Sequence, residues 1–327
     1  MERSSGEGPL KDSDRGIEAD GSAMAAILAK RALETAPVFL STLIGREKTL
    51  NVAPQLSLQN EAGKAGSHRI GSDTISVGIR DPYRAAAHEY FHFYQSKSGF
   101  AQLALHCNYF SDSLHNEELA NGARLKLAHA VLEAGAYFFE AALVADTALR
   151  NQRCEEATIN TLSQIRNARD LRYNMALVTN IQTMLRMNQP QLMVEEVEKL
   201  AEANAHGTEA GCASTLQITS TALGRGMAIL VFAANDFDAR PAIAVLDSNP
   251  WRIMSCIRGM NKAQIESVDW MLRGREQCIE SIEAQRSRMI AEDFVAAFSD
   301  RQLPETVATS LSKTAASFKV TQRTRSF

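Results

Sequence analysis

The chain has 327 residues, and its 35 basic and 38 acidic side chains leave a formal net charge of −3. With 45% hydrophobic and 22% charged residues, the composition is that of a globular protein, which excludes a mostly disordered chain and allows one or two domains. A sequence pI near 6.2 provides no global positive field for nucleic acid, and no uninterrupted apolar run approaches the roughly 20 residues of an integral membrane segment. Five cysteines, Cys107, Cys154, Cys212, Cys256 and Cys278, stand singly. Their odd number and spacing argue against a disulfide framework and against a cysteine zinc knuckle, and they suit a reducing cytoplasm.

In chain order, residues 1–21 carry almost nothing to bury and read as a disordered leader without the apolar stretch of a secretory signal. Ser22 then precedes AMAAILAKRALE, a short helix expected to end at Pro37; the following VFLSTLIG is an apolar run of ambiguous type. Ile75, Val77 and Ile79 alternate with Thr74, Ser76 and Gly78, the period of a half-buried strand. Gly71-Ser72-Asp73 before it reads as a hairpin turn from SHRI. After Arg80 the pattern is helical. Asp81-Pro82 starts a helix that runs to Gly99, and further helices are expected near 119–149, 153–187, 190–205, 212–234, 262–298 and 304–316. Pro190, Pro241, Pro250 and Pro304 mark junctions. The last fifteen residues, 313–327, contain Lys313, Lys319, Arg323 and Arg325 and no acid, a basic flexible tail.

One constellation carries chemistry. His88-Glu89-Tyr90-Phe91-His92 is HExxH, in which residues four apart share one helix face so that both imidazoles reach one ion. Two histidines leave zinc room for a third ligand and a water, and Glu89, one residue along, is free to act as general base. Chance would produce one HExxH in a chain of this composition on the order of once in a hundred. The surroundings strengthen the signal: Ala87, Tyr90, Phe91 and Phe93 are uncharged, Tyr94 is hydrophobic, and a strand comes just before the helix. An edge strand in that position can hold an extended peptide by main-chain hydrogen bonds. HExxHxxGxxH is absent, because position 98 is Ser, which disfavours a metzincin.

The strand, the AAHEYFHFYQ helix and the later LEAGAYFFEAALVAD helix together resemble the gluzincin group of zinc metallopeptidases. They are particularly similar to poorly characterised bacterial metallopeptidase domains with an HExxHxxQ helix and a downstream Glu-Ala motif. The resemblance covers roughly residues 65–150. It implies that His88 and His92 bind zinc, that Glu89 is the general base, and that Glu133 is the third ligand. Glu133 follows the second histidine by more residues than in thermolysin-like enzymes, and position 137 is Tyr rather than acid. His129, Glu140 and His115 therefore stay open as alternative ligands. The apolar setting of Glu133 favours it, since a buried carboxylate needs a partner. Gly135 and nearby alanines would let this helix approach the HExxH helix closely. Gln95 is a candidate outer-layer residue, Tyr137 a candidate oxyanion donor as well as an ordinary core tyrosine, and His68 an ordinary surface histidine.

The expected fold is mainly α with a small β-hairpin or sheet (α+β). It comprises a zincin-like core over 22–150 and a helical C-terminal extension over 151–312 packed on it. The expected activity is hydrolysis of a peptide or protein substrate with Zn2+ as cofactor. The alternative is a non-catalytic helical interaction protein with a structural metal site. A cytoplasmic location is expected; the leader and basic tail would also suit a bacterial effector exported without a signal peptide.

Overall fold

The structure is a computed structural model, and it describes residues 12–45, 50, 52–59, 66–109, 117–149, 154–165, 168–205 and 214–273. It is mostly helical with one three-stranded sheet, as the composition and periodicity predict. The expectations for residues 1–11, for the helix at 304–316, for 274–298 and for the basic tail concern residues outside the described ones, as does His115.

Helix α1 (Asp12–Ile44) is longer than the sequence suggests at both ends. It takes in residues 12–21, read as leader, and continues through Pro37 and the ambiguous VFLSTLI. Proline removes one backbone donor and favours a break. Against that, Ala25, Leu28, Ala29, Ala32, Ala36, Phe39 and Leu40 are all buried at helical spacing, so one apolar stripe runs unbroken across the proline.

The sheet follows. β1 (Gln55–Gln59), β2 (Gly66–His68) and β3 (Thr74–Gly78) lie in the order β1-β3-β2. The expected hairpin is β2–β3, antiparallel, with Gly66 opposite Val77 and His68 opposite Ile75. Gly71, in its turn, has φ +86°, a backbone region that glycine enters without penalty. β1, which the sequence reading did not identify, adds to β3 in parallel. Ile75 and Val77 bury one face of the sheet against Leu28, Ala32, Tyr83, Ala86 and Phe93, whereas Ile79 falls beyond the strand end and is exposed.

Helix α2 (Pro82–Lys97) carries HExxH. Asp81 occupies the N-cap position without making a side-chain cap bond, so the start rests on the preset φ of Pro82. Ser98 closes α2, and Gly99 (φ +82°) turns the chain into α3 (Phe100–His106), a helix the sequence reading did not anticipate. The hairpin is tied to the end of α2 at two points. The Gly71 N–H donates to Ser96 Oγ at 2.8 Å, and Lys97 pairs with Asp73.

The remaining helices are α4 (Glu117–Leu149), α5 (Cys154–Ser163), α6 (Ala168–Arg186), α7 (Pro190–Ala205), α8 (Thr215–Ala234), α9 (Ala239–Leu246), α10 (Pro250–Arg258) and α11 (Lys262–Arg273). The single helix expected over 153–187 is two. Gln164 takes φ +49° between them, and Asn174 Nδ2 donates to Ser163 O at 2.7 Å and to Asp170 O at 2.9 Å, pinning the break. The short α9 and α10 were read only as proline junctions. Each carries a true cap, Asp238 accepting from Arg240 N at 2.9 Å and Asn249 from Trp251 N at 2.8 Å.

Helices α4 and α8 form the centre. Both contain stretches long and apolar enough for a bilayer, Asn121–Thr147 and Thr215–Ala234, but 83% and 72% of those windows are buried inside the protein. Their crossing depends on Gly224. A Cβ there would lie 2.4 Å from Glu133 Cβ and 2.9 Å from the Ala130 carbonyl oxygen. Gly224→Ala, worth roughly 1 kcal/mol of gain in an unhindered helix, is therefore expected to lower stability by about 1–3 kcal/mol through overpacking. A thermal midpoint that stays level or rises would show that α8 can retreat without cost.

Candidate metal centre

Positions 88 and 92 share the face of α2 that looks toward α4. Gly135 lets α4 come close: a Cβ at that position would lie 2.6 Å from the Phe91 ring and 2.8 Å from Gln95 Nε2. Stacking of Phe91 on Phe139, with ring centres 5.1 Å apart, fixes the same pair of helices one turn further on. Glu133, two residues before Gly135, then faces both histidines.

The three side chains converge. His88 Nε2 and His92 Nε2 are 3.1 Å apart. Glu133 Oε2 is 3.4 Å from His88 Nε2, and Glu133 Oε1 is 3.5 Å from His92 Nε2. Donors bound at about 2.0–2.1 Å to a tetrahedral ion stand about 3.3 Å from one another, so the donor set matches in both chemistry and spacing. Among the described residues this is the one cluster of histidine, cysteine and carboxylate side chains placed to hold a metal ion.

Each imidazole is held from behind. His88 Nδ1–H donates to Glu140 Oε2 at 2.9 Å, and Glu140 also pairs with Arg84. His92 Nδ1–H donates to Gln95 Oε1 at 3.0 Å, while Gln95 Nε2 donates to Leu132 O at 3.1 Å. Protons on both Nδ1 atoms make Nε2 the atom that each ring directs into the cluster, the arrangement a metal ligand requires once any proton on Nε2 has left. Glu140, an open alternative for third ligand, thus lies on the far side of the His88 ring and orients it. His129, one turn before Glu133, lies outside the convergent group, with burial pulling its pKa below the ordinary value.

Glu89 is buried and also outside the ligand group. Burial raises its carboxyl pKa, opposed by the charges of His88 and His92. It lies against the edge strand: a Cβ on Gly66 would come 2.9 Å from both Glu89 Cγ and Oε1. His68, read as a surface histidine, is half-buried, its ring edge-on to Phe93 at 5.9 Å and its Nε2–H donating to Ser72 O at 3.1 Å. Tyr137 sets its ring edge against His88, centres 4.8 Å apart, and the Arg225 guanidinium lies over the Tyr137 ring at 5.3 Å. Sequence reasoning missed Arg84, Gly66, Gly224 and Arg225. Only Arg84, one turn before His88, had a local signal in its position on the motif helix.

No known family model matches the chain, and neither a curated protein nor a solved structure shows similarity to it.

The cluster is strongly coupled to protons. Burial opposes charge on His92, but the hydrogen bond and charge of Glu133, with Glu89 and Gln95 adding to them, push its pKa up to about 9. Burial likewise opposes charge on Glu133, yet hydrogen bonds from His88 and His92 hold its carboxyl well below the usual range. In the metal-free chain the raised His92 pKa contributes stability that is complete below the ordinary value of 6.5 and is lost as pH rises through about 9. A bound cation must displace that proton, so its affinity runs the other way, climbing up to tenfold per pH unit across the same interval. Chelator competition and metal-free melting curves between these limits check both slopes. An affinity independent of pH would remove the proton from the site.

Proposed function

We propose that the chain is a metal-dependent hydrolase, and within that class a zinc metallopeptidase of the gluzincin kind, with His88, His92 and Glu133 holding the ion. The observation that carries this is the spacing of 3.1–3.5 Å among three donors, two of them imidazole nitrogens freed by hydrogen bonds at their opposite atoms. Zinc prefers nitrogen and carboxylate donors, and with three protein ligands it supplies a Lewis acid and a water of near-neutral pKa.

The chain's own groups account for the rest of the chemistry. Glu89 has the position and the raised pKa to accept the proton of the attacking water and return it to the departing amine. Strand β2 borders the sheet beside it, and Gly66 brings the backbone of that strand against Glu89. An extended peptide pairing with this edge would lay its carbonyl near the Glu89 carboxylate. Tyr137 and Glu140 brace His88 from two sides.

Metal analysis of the purified chain is expected to give about one zinc per molecule, lost in His88→Ala and in Glu133→Ala. Glu89→Gln should keep the zinc while peptide hydrolysis falls by roughly 10²–10⁴-fold. An active Glu89→Gln chain would remove the general-base assignment. A wild-type chain that takes up no zinc after reconstitution would favour the helical interaction reading. Gly66→Ala is expected to keep zinc but lose most turnover, because its Cβ displaces Glu89; undiminished turnover would disconnect β2 from the chemistry.

A further inference from the structure

Arg84 and Arg225 both lie near the cluster, through Glu140 and Tyr137, and their surroundings differ. Arg84 is neutralised by Glu140. Arg225, on α8 next to the Gly224 crossing, has no carboxylate within ion-pair distance among the described residues. It faces the ring of Tyr137 at 5.3 Å, and its charge reaches the Tyr137 and Tyr173 phenols. Its Nε is buried and has no hydrogen-bond partner. The guanidinium shares a hydrogen bond with the Tyr137 hydroxyl, but its buried Nε donor remains unmet, which is a standing cost. The Tyr137 ring lies 4.8 Å from the His88 ring on its other side, so this cost is carried within two ring contacts of the candidate zinc ligands.

We propose that Arg225 is a specificity-determining residue that binds a substrate carboxylate, the free C-terminal carboxylate of a peptide cut one or a few residues from its end. This rests on the reading of the cluster as a peptidase site. Arg225 lies 5.3 Å from the Tyr137 ring, which lies 4.8 Å from the His88 ring; with each peptide residue spanning at most about 3.3–3.6 Å, a carboxylate on Arg225 and a carbonyl at the cluster fit a leaving group of one to a few residues. Guanidinium is suited to the task because its planar fork takes a carboxylate by two parallel hydrogen bonds. The Tyr137 ring, 5.3 Å from its Cζ, restricts where that fork can move.

The test uses the full-length, zinc-loaded Glu89→Gln chain, which removes turnover from the binding measurement. Calorimetry compares N-acetyl-dialanine, its C-terminal amide, and an amidated peptide carrying one Glu side chain. The free acid is expected to bind at least tenfold tighter than its amide. Adding Arg225→Met should abolish that preference, and Arg225→Lys should restore part of it. Equal binding of acid and amide, or a preference that survives in a folded Arg225→Met chain, overturns the proposal; the latter would place the carboxylate on the metal. Equal binding of acid and amide overturns the proposal without any Arg225 variant, and if Arg225→Met fails to fold, an acid preference left undiminished in Arg225→Lys overturns it as well. Binding of the Glu-bearing amide in place of the free acid would overturn the C-terminal assignment in favour of an acidic side chain. A chain that shows the Arg225-dependent preference while the wild type hydrolyses no peptide would keep the carboxylate site and remove the peptidase reading.

Discussion

Everything at the candidate centre depends on how closely α4 can be approached. It is met by α2 at Gly135 and by α8 at Gly224, so that two glycines, one on α4 itself and one on α8, clamp the turn that bears Glu133. Larger residues would push the helices apart by the width of a methyl group or more. That displacement far exceeds the tolerance of a metal site, where ligand distances hold to about 0.2 Å. The aromatic stack of Phe91 on Phe139, joined by Phe39 at 5.8 Å and Tyr90 at 6.0 Å from the Phe139 ring, makes the approach rigid. The packing of the core and the geometry of the ligands are therefore one problem with one solution.

That solution is electrostatically demanding. Glu89, Glu133 and Glu140 all lie at or near the core, where ionised carboxylates are costly unless paired. The pairing runs as a chain through two helices: Arg84 to Glu140, Glu140 to His88, the two histidines to Glu133, His92 to Gln95, and Gln95 to the Leu132 carbonyl. Every member except the central triad has its partner independently of any ion. The triad is held together around a proton, and among the described residues it is the one histidine–carboxylate group placed to hold a cation.

Much of this was legible in the sequence, for physical reasons that differ from residue to residue. His88 and His92 were readable as a pair because their four-residue spacing matches the helix repeat and puts both rings on one face. The β2–β3 hairpin was readable from alternation and a glycine turn. Glu133 came from a family resemblance supported by its apolar setting, because nothing in its own neighbourhood encodes the distance to α2. Glu140 was noticed as a carboxylate on the right face, but whether it meets Nε2 or Nδ1 of His88 depends on a helix crossing that no local pattern specifies. Helix α1 was underestimated at Pro37 because a proline's local penalty is visible in sequence whereas the buried stripe that outweighs it is a tertiary fact. Arg225 was invisible for the same reason: it reaches the site from α8, far along the chain, through a crossing made at Gly224.

The charge balance gives Arg225 its meaning. With a divalent cation in place and both histidines neutral, Glu89 and Glu133 together offset the ion, while Glu140 offsets Arg84. Arg225 is the charge left over. A half-buried region that carries one uncompensated positive charge attracts an anion more strongly than water would suggest, because screening is weak there. A neutral peptide segment would leave that charge unmatched, and an arginine replaced by leucine would avoid the cost altogether. A guanidinium on the helix that presses against Glu133, resting on the Tyr137 ring, gains its charge partner when a bound substrate brings a carboxylate with it.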